Sequence, residues 1–151
     1  MTALPAALQR VHESVALQGA MQTLGARITH LDHGAVDISF GWAQRLTQQN
    51  GFIHAGMLSA ALDSACGYAG LTLMPEHANV LTIEFKSNFL AAAQGDHFRC
   101  EGRVIKTGRT IMVAEGRAFS QHAGSERLVA TMSCTLMVMQ PSTGSESPAT
   151  D

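Results

Sequence analysis

The stretch "QQNGFIHAGMLSAALDSACG", Gln48 to Gly67, joins a polar, glycine-containing cluster to a long run of small apolar residues. From about His54 to Leu73 the chain has no proline, one β-branched residue and many alanines and leucines, which predicts a helix. Because this helix is apolar around most of its circumference, we expect it to be buried. Pro75 is expected to end it.

One carboxylate, Asp63, interrupts this apolar segment. A charge among buried apolar residues is unfavourable unless it has a partner or takes part in chemistry. The carboxylate could bond to the hydroxyl of Ser59 or Ser64, could face solvent, or could be functional. The residues of the helix alone leave these alternatives open.

Three residues, Gly51, His54 and Gly56, flank the point where extended sequence becomes helix. The first backbone N–H groups of a helix are unpaired and carry the positive end of its dipole, so they can stabilise a carbonyl oxygen that gains negative charge. Small residues around such a turn let a ligand approach the backbone closely. An ordinary glycine turn that caps a helix has the same pattern.

The sequence before this stretch predicts an amphipathic helix at about residues 4–19 and a hairpin with strands near 27–31 and 35–42. "Asp-His-Gly" at 32–34 supplies the turn of the hairpin.

The sequence after the long helix reads as four extended segments, which predict an antiparallel meander: 79–92, 96–108, 109–121 and 126–139. In "TIEFKSNF", alternation places Ile83 and Phe85 on an apolar face and Thr82 and Glu84 on a polar one. One long helix and such a sheet make an α+β domain.

The composition fits one compact domain over residues 1–140, followed by a polar tail at 141–151 that we expect to be flexible. The formal net charge of −2 gives no general attraction to nucleic acid or to an anionic membrane. The sequence shows no signal peptide and no run of membrane-spanning length, which predicts a cytoplasmic protein. Three widely spaced cysteines indicate neither a disulfide framework nor a metal site.

The cluster and the helix together resemble the hotdog-fold acyl-CoA thioesterases, in the branch that includes the PaaI-like and hydroxybenzoyl-CoA thioesterases. The matching residues are Gln48, Gly51, "HAG" at 54–56 and Asp63, and the similarity continues through "LTIEFKSNFLAAAQGD" and "GRVIKTGRT". The resemblance covers roughly residues 35–138. It implies a hotdog fold, in which a curved antiparallel sheet wraps around a long central helix.

The resemblance also implies a reaction, the hydrolysis of a small or aromatic acyl-CoA thioester. Asp63 would act as general base or nucleophile, and the backbone N–H of Ala55, between His54 and Gly56, would polarise the thioester carbonyl. Ala55 replaces the first glycine of the family motif, which keeps the N–H and adds a methyl group beside the ligand path. Gln48 would orient the thioester or the attacking water.

Further residues are candidates for binding the substrate. Asn50 is a second amide close to Gln48, Gly51 belongs to the same turn, and Thr82 stands where the family often has a small polar residue. Basic residues on or near the meander could hold the phosphates of coenzyme A, and the best placed are Lys106 and Arg109 in "KTGRT". Lys86 and Arg103 are further candidates.

The spacing of the motif predicts that two chains share each active site. Nine positions separate His54 from Asp63, so the two lie about 13 Å apart along one helix and point to nearly opposite sides. The resemblance implies the same homodimer, paired again into a homotetramer, and no metal or redox cofactor. The alternatives are an acyl-thioester dehydratase or hydratase, whose helix-entry signature the sequence lacks, and a non-catalytic acyl-CoA binding protein.

Overall fold

A central helix and the sheet around it organise the chain, and a computed structural model describes residues 4–141. The predicted tail therefore lies outside the described residues, apart from residue 141. The α-helices and strands are α1 Ala6–Leu17, α2 Gly19–Leu24, β1 Arg27–Asp32, β2 Ala35–Gly41, α3 Ala55–Leu71, β3 Asn79–Phe89, β4 His97–Lys106, β5 Ile111–His122 and β6 Ser125–Met139, and a 3-10 turn covers Gln44–Leu46.

Helix α3 is the predicted long helix, and it packs against β2 to β6. Its small side chains allow the sheet backbone to come very close. At Gly102 in β4, an added Cβ would lie 2.2 Å from the carbonyl oxygen of Ala65 in α3, so only glycine fits there. The buried core forms between α3 and the facing side of the sheet.

The sheet has six strands in the order β1-β2-β4-β5-β6-β3, and neighbouring strands are antiparallel. The predicted four-strand meander is wrong for β3, which pairs with β6 at the sheet edge, while β4 pairs with β2. Of the four strands in the predicted meander, only the pairs β4–β5 and β5–β6 are joined by short turns. Residues 90–96 instead carry the chain from the edge strand back to the interior of the sheet.

A β-bulge in β3 changes which side chains face the helix. Thr82 pairs with Leu136, but Glu84 pairs with Thr135, so Ile83 is an extra residue on this strand. The predicted alternation, with Thr82 and Phe85 on opposite faces, is therefore wrong. Both residues lie on the face that looks toward α3.

The N-terminal segment is anchored to the end of the central helix. The predicted helix at about 4–19 is α1, which ends at Leu17, and a second short helix that the sequence did not predict begins at Gly19. Arg10 of α1 donates hydrogen bonds to the carbonyl oxygens of Met74 at 2.8 Å and of Leu71, which follow or end α3. Within residues 4–141, no helix combines the length and apolar character that crossing a membrane requires.

Candidate active site

Asp63 lies half-buried in the middle of α3 and has a definite partner. Its Oδ1 accepts a hydrogen bond of 2.7 Å from Oγ1 of Thr82, and Sγ of Cys134 lies 3.8 Å from the same oxygen. Of the alternatives left open by the sequence, neither serine is bonded to Asp63 among the described residues, and Ser64 donates to Oε1 of Gln18 at 3.2 Å. Among residues 4–141 nothing bonds to Oδ2 of Asp63, so this oxygen can accept a proton or attack.

The contact between Asp63 and Thr82 depends on the bulge in β3. Without the extra residue Ile83, a strand that kept its period of two would turn either Thr82 or Phe85 away from the helix. The structure thus gives Thr82 a direct role in holding the carboxylate. No local signal in the sequence marks the bulge.

Cys66, a neighbour of Asp63 on α3, is a protonated thiol. A hydrogen bond with Cys134 and burial raise the pKa of the Cys66 thiol, and the negative charge of Asp63 adds to the effect. Cys66 therefore stays protonated at neutral pH.

An open cavity of about 390 Å³ lies beside Asp63. Its walls are one face of α3, the first half of β3 and the end of α1: Ser14, Gln18, Asp63, Ser64, Gly67, Tyr68, Leu71, Asn79, Val80, Leu81 and Thr82. The contribution of α1 was not predicted, since the sequence indicated only an amphipathic helix at about residues 4–19.

The start of α3 is arranged around His54, which caps the helix. Nδ1 of His54 accepts a hydrogen bond of 2.8 Å from the N–H of Gly56. A neutral imidazole whose Nδ1 accepts carries its proton on Nε2, so Nε2–H is available as a donor. The side chain is exposed, which leaves it accessible to a ligand.

The backbone N–H of Ala55 is the free donor at this helix start. Ala55 is the first residue of α3 and is exposed. Within residues 4–141 this N–H has no hydrogen-bond acceptor. The N–H groups of Met57 and Leu58, by contrast, donate to the carbonyl of His54. The group meets the requirement for an oxyanion donor, because it is preorganised at the positive end of the helix dipole.

The turn before His54 holds the two candidate amides in different ways. Oε1 of Gln48 accepts a hydrogen bond from the backbone N–H of Asn50, which leaves the Gln48 NH₂ group as the outward donor. The Asn50 side chain is exposed. Gly51 has a φ of +83°, which favours glycine, and its carbonyl accepts from Nε1 of Trp42 at 2.9 Å.

Within one chain these residues form two separate groups. We call Gln48, Asn50, Gly51, His54, Ala55 and Gly56 the helix-start cluster, and Asp63 with Thr82 the carboxylate pair. Both belong to or contact the same helix, and the rise of about 1.5 Å per residue keeps His54 and Asp63 about 13 Å apart.

The basic residues of the β4–β5 turn lie away from the helix-start cluster of their own chain. Gly34 packs against Leu73 and its carbonyl accepts from the N–H of Val104, so the exposed Lys106 and Arg109 lie near the C-terminal end of α3. Lys86 is exposed on β3.

Arg103, the remaining basic candidate, is already engaged in an ion pair. Its guanidinium lies 2.6 Å from Oδ1 of Asp37, and Glu101 is a second, more distant acceptor. It is therefore a poor candidate for binding phosphate.

Comparisons with known proteins agree with this architecture. The family description "Thioesterase superfamily" matches residues 50–126, about half of the chain. A Saccharolobus solfataricus protein named "Putative esterase" is 29% identical over 92 residues, which are 61% of this chain and 65%, slightly under two thirds, of that protein.

Solved structures of other proteins share the fold of this chain. A thioesterase family protein from Silicibacter pomeroyi is 49% identical with a TM-score of 0.88, and the match covers 89% of this chain and 99% of that one. The E. coli PaaI protein is 18% identical with a TM-score of 0.80 over 89% and 94% of the two chains, a likeness of fold. These similarities confirm the predicted hotdog fold.

Proposed function

The chain belongs to the thioesterase superfamily, and we propose that it hydrolyses small or aromatic acyl-CoA thioesters with Asp63 as the reacting carboxylate. The observation that carries this proposal is the carboxylate pair. Thr82 holds one oxygen of Asp63, and the other oxygen is free beside an open cavity in a thioesterase-family fold. The assignment to the PaaI-like branch is part of the proposal.

The proposed reaction uses the two free groups described above. Either Oδ2 of Asp63 removes a proton from water as the water attacks the thioester carbonyl, or Oδ2 attacks the carbonyl itself and water then cleaves the mixed anhydride. In both routes the N–H of Ala55 stabilises the negative oxygen. The C–S bond breaks, and the coenzyme A sulfur leaves as thiolate and takes up a proton.

The remaining residues of the helix-start cluster would position the thioester. His54 can donate from Nε2, and Gln48 can donate from its NH₂ group, because their other polar atoms are already bonded within the cluster. Lys106 and Arg109 are proposed to bind the coenzyme A phosphates by charge. The scheme needs these groups and water, with no metal or redox cofactor.

A second copy of the chain is the proposed source of the missing half of each site. Strand β3 is at the sheet edge: one side of its backbone pairs with β6, and no strand of the described chain pairs with the other side. Leu81 and Phe85 on this strand are 56% and 47% exposed, and Ile83 and Phe89 are similarly open. Exposed apolar side chains along a free edge favour pairing with a like strand.

Such a dimer would let the helix-start cluster of one chain act with the carboxylate pair of the other. The pairing of two dimers into a tetramer and the cytoplasmic location rest on the resemblance and the sequence alone, and they stay predictions.

The proposal is tested by hydrolysis of a panel of acyl-CoAs, with thiol release as the readout, for the wild-type protein and Asp63→Asn. The hydroxyl of Thr82 can still donate to the amide oxygen of asparagine, so the variant should fold and bind thioesters. We expect turnover to fall by about a hundredfold or more, because an amide is neither base nor nucleophile. Glu115→Gln, the same change at an exposed carboxylate on β5, is the matched control.

The same panel separates the alternatives. A dehydratase or hydratase would add or remove water on the acyl chain without releasing thiol, and a non-catalytic binding protein would bind acyl-CoA without either reaction. A folded Asp63→Asn protein with wild-type turnover would rule out the assigned role.

A further inference from the structure

The turn that carries Gln48 projects from the body of the domain. Its residues 49–51 are exposed. A Cβ added to Gly51 would meet no atom of the described chain within 4 Å, apart from its two neighbours in sequence. Side-chain packing therefore does not hold the tip of this turn, and its position depends on hydrogen bonds.

Three hydrogen bonds within the turn fix its shape. The N–H of Gly51 donates to the carbonyl of Gln48 at 3.1 Å, and the N–H of Gln48 donates to the carbonyl of Phe52 at 2.9 Å. The N–H of Asn50 donates to Oε1 of Gln48, which ties that side chain to the backbone of its own turn. These bonds leave the orientation of the tip against the sheet open, because every partner moves with the turn.

The base of the turn is anchored to the domain. The N–H of Ile53 donates to the carbonyl of Ala93 at 3.1 Å, and the N–H of His54 donates to the carbonyl of Leu46 at 2.9 Å. Thr47 and Ile53 form a β-bridge across the base. Because these residues flank the turn, its base is fixed while the tip could still swing about it.

Trp42 supplies the bond that holds the tip. Its indole Nε1–H donates to the carbonyl of Gly51 at 2.9 Å. Within residues 4–141 this is the one hydrogen bond that joins residues 48–52 to a residue outside the turn. Without it, the tip would lose its link to the sheet.

Trp42 is itself held by the sheet. It follows Gly41, the last residue of β2, which pairs with His97 of β4. The N–H of Trp42 donates to the carbonyl of Asp96 at 2.8 Å, and the N–H of Asp96 donates to the carbonyl of Gln121 in β5 at 2.9 Å. Three strands therefore fix the backbone from which the indole reaches the turn.

We infer that Trp42 is a positioning residue of the proposed active site: through Gly51 its indole N–H fixes the turn, and with it the Gln48 amide. The inference rests on the proposed function for the role of that amide in orienting the thioester or the attacking water. Trp42 is 47% exposed, so water can replace the indole as a donor to Gly51 and the protein should fold without it.

The test uses the fact that Trp42 is the only tryptophan in the chain. Expression in a tryptophan auxotroph replaces this residue alone, either with 5-fluorotryptophan, which keeps the N–H, or with β-(3-benzothienyl)alanine, which has sulfur in place of the N–H. Thiol release from acetyl-CoA and benzoyl-CoA is then measured. We expect kcat/KM of the benzothienyl protein and of Trp42→Phe to fall about threefold to tenfold, the effect of one hydrogen bond, while the fluorinated protein keeps about half or more of the wild-type value.

Arg45→Leu is the matched control, because it removes a bond of the same kind from the same connection. The Arg45 guanidinium donates to the carbonyl of Thr23 at 3.0 Å and so ties the 3-10 turn to α2 instead of to the turn at 48–52. Its kcat/KM should stay within about twofold of the wild type. A benzothienyl protein with wild-type kcat/KM, or an equal loss in Arg45→Leu, would overturn the inference and leave the proposed hydrolysis intact.

Hydrogen exchange measured by NMR separates positioning from a general loss of stability and does not depend on the reaction. The single indole N–H signal of the wild type should exchange with water about tenfold or more slowly than that of free tryptophan. In Trp42→Phe the N–H groups of Asn50 and Gly51 should exchange about threefold to tenfold faster, and that of Ile53 at the base should not change.

Unchanged exchange at Asn50 and Gly51, or an equal acceleration at Ile53, would refute the positioning role. Should the wild type hydrolyse neither thioester, the proposed function fails, yet faster exchange confined to Asn50 and Gly51 would still support Trp42 as the residue that holds the turn.

Discussion

Two inactive variants should restore activity when their subunits exchange, if each site is built from two chains. Asp63→Ala removes the reacting carboxylate and leaves the helix-start cluster intact, whereas Gln48→Ala weakens that cluster and leaves the carboxylate pair intact. The rigid helix α3 holds His54 and Asp63 about 13 Å apart, which is too far for one thioester carbonyl to contact both. A mixed dimer would contain one site with both native groups.

The expected recovery follows from random pairing. In an equal mixture about half of the dimers are mixed, and each has one intact site and one site that lacks both groups. Roughly a quarter of all sites are then intact, so activity should rise from the residual level of the parents to about a quarter of the wild-type value.

Thiol release is a suitable assay because the protein's own cysteines react little. Cys66, Cys100 and Cys134 are free but buried. Burial raises the pKa of the Cys100 thiol, and hydrogen bonding with Cys134 together with burial raises that of Cys66. Protonated, inaccessible thiols contribute little background.

The reverse mixture is the matched control. When the wild type exchanges with the double variant Gln48→Ala/Asp63→Ala, a mixed dimer contains no intact site, so activity should fall from one half to about a quarter of the wild-type value. If each site lay within a single chain, this mixture would keep one half of the wild-type activity after exchange. The mixture of Asp63→Ala with Gln48→Ala would then recover no activity. That result, with exchange confirmed by native mass spectrometry, would refute the shared site.

Three further changes test other parts of the structure. Thr82→Val removes the 2.7 Å hydrogen bond to Asp63, so kcat should fall about tenfold or more with little change in KM, and Thr82→Ser should restore kcat. Steady-state kinetics that show wild-type kcat in Thr82→Val would contradict the positioning role. Gly56→Val places a β-branched side chain whose Cβ lies 3.1 Å from Nδ1 of His54, so the melting temperature and the activity should fall together; normal hydrolysis would show that the thioester binds elsewhere. Hydrogen bonds from Arg99 and Gln121 lower the pKa of Glu126, so its contribution to stability is present above its unfolded-state pKa of about 4.3 and is lost as the pH falls through the lower folded-state value. In urea unfolding, the free energy of unfolding should therefore fall less steeply toward acid pH for Glu126→Gln than for the wild type. An unchanged pH dependence would exclude this contribution.

The parts of the fold that the sequence predicted correctly are those with a local signal. The composition of α3 and the turn chemistry at 32–34 lie within short segments, and both elements are found within two residues of their expected bounds. The motif residues from Gln48 to Asp63 are likewise close in sequence. Their roles in binding and catalysis stay predictions.

The parts that were missed depend on contacts between distant segments. The pairing of β3 with β6 joins residues about fifty positions apart, and the preference of a strand for a partner leaves no local pattern. The bulge at Ile83 is a consequence of that pairing, and it alone turns Thr82 toward Asp63. The cavity wall formed by Ser14 and Gln18 depends on how α1 docks, which Arg10 settles through its bonds to the end of α3.

The proposed active site and the proposed dimer interface have the same structural origin. The long helix that supplies the core also fixes the distance between the helix-start cluster and Asp63, so the chain cannot complete a site by bending. The strand that carries Thr82 to the carboxylate is also an edge strand of the sheet, and it has exposed apolar side chains. Because β3 contributes to both, covering its edge with a second chain would bury the apolar residues and bring the missing catalytic groups in a single step. Assembly and activity are therefore expected to be inseparable in this protein.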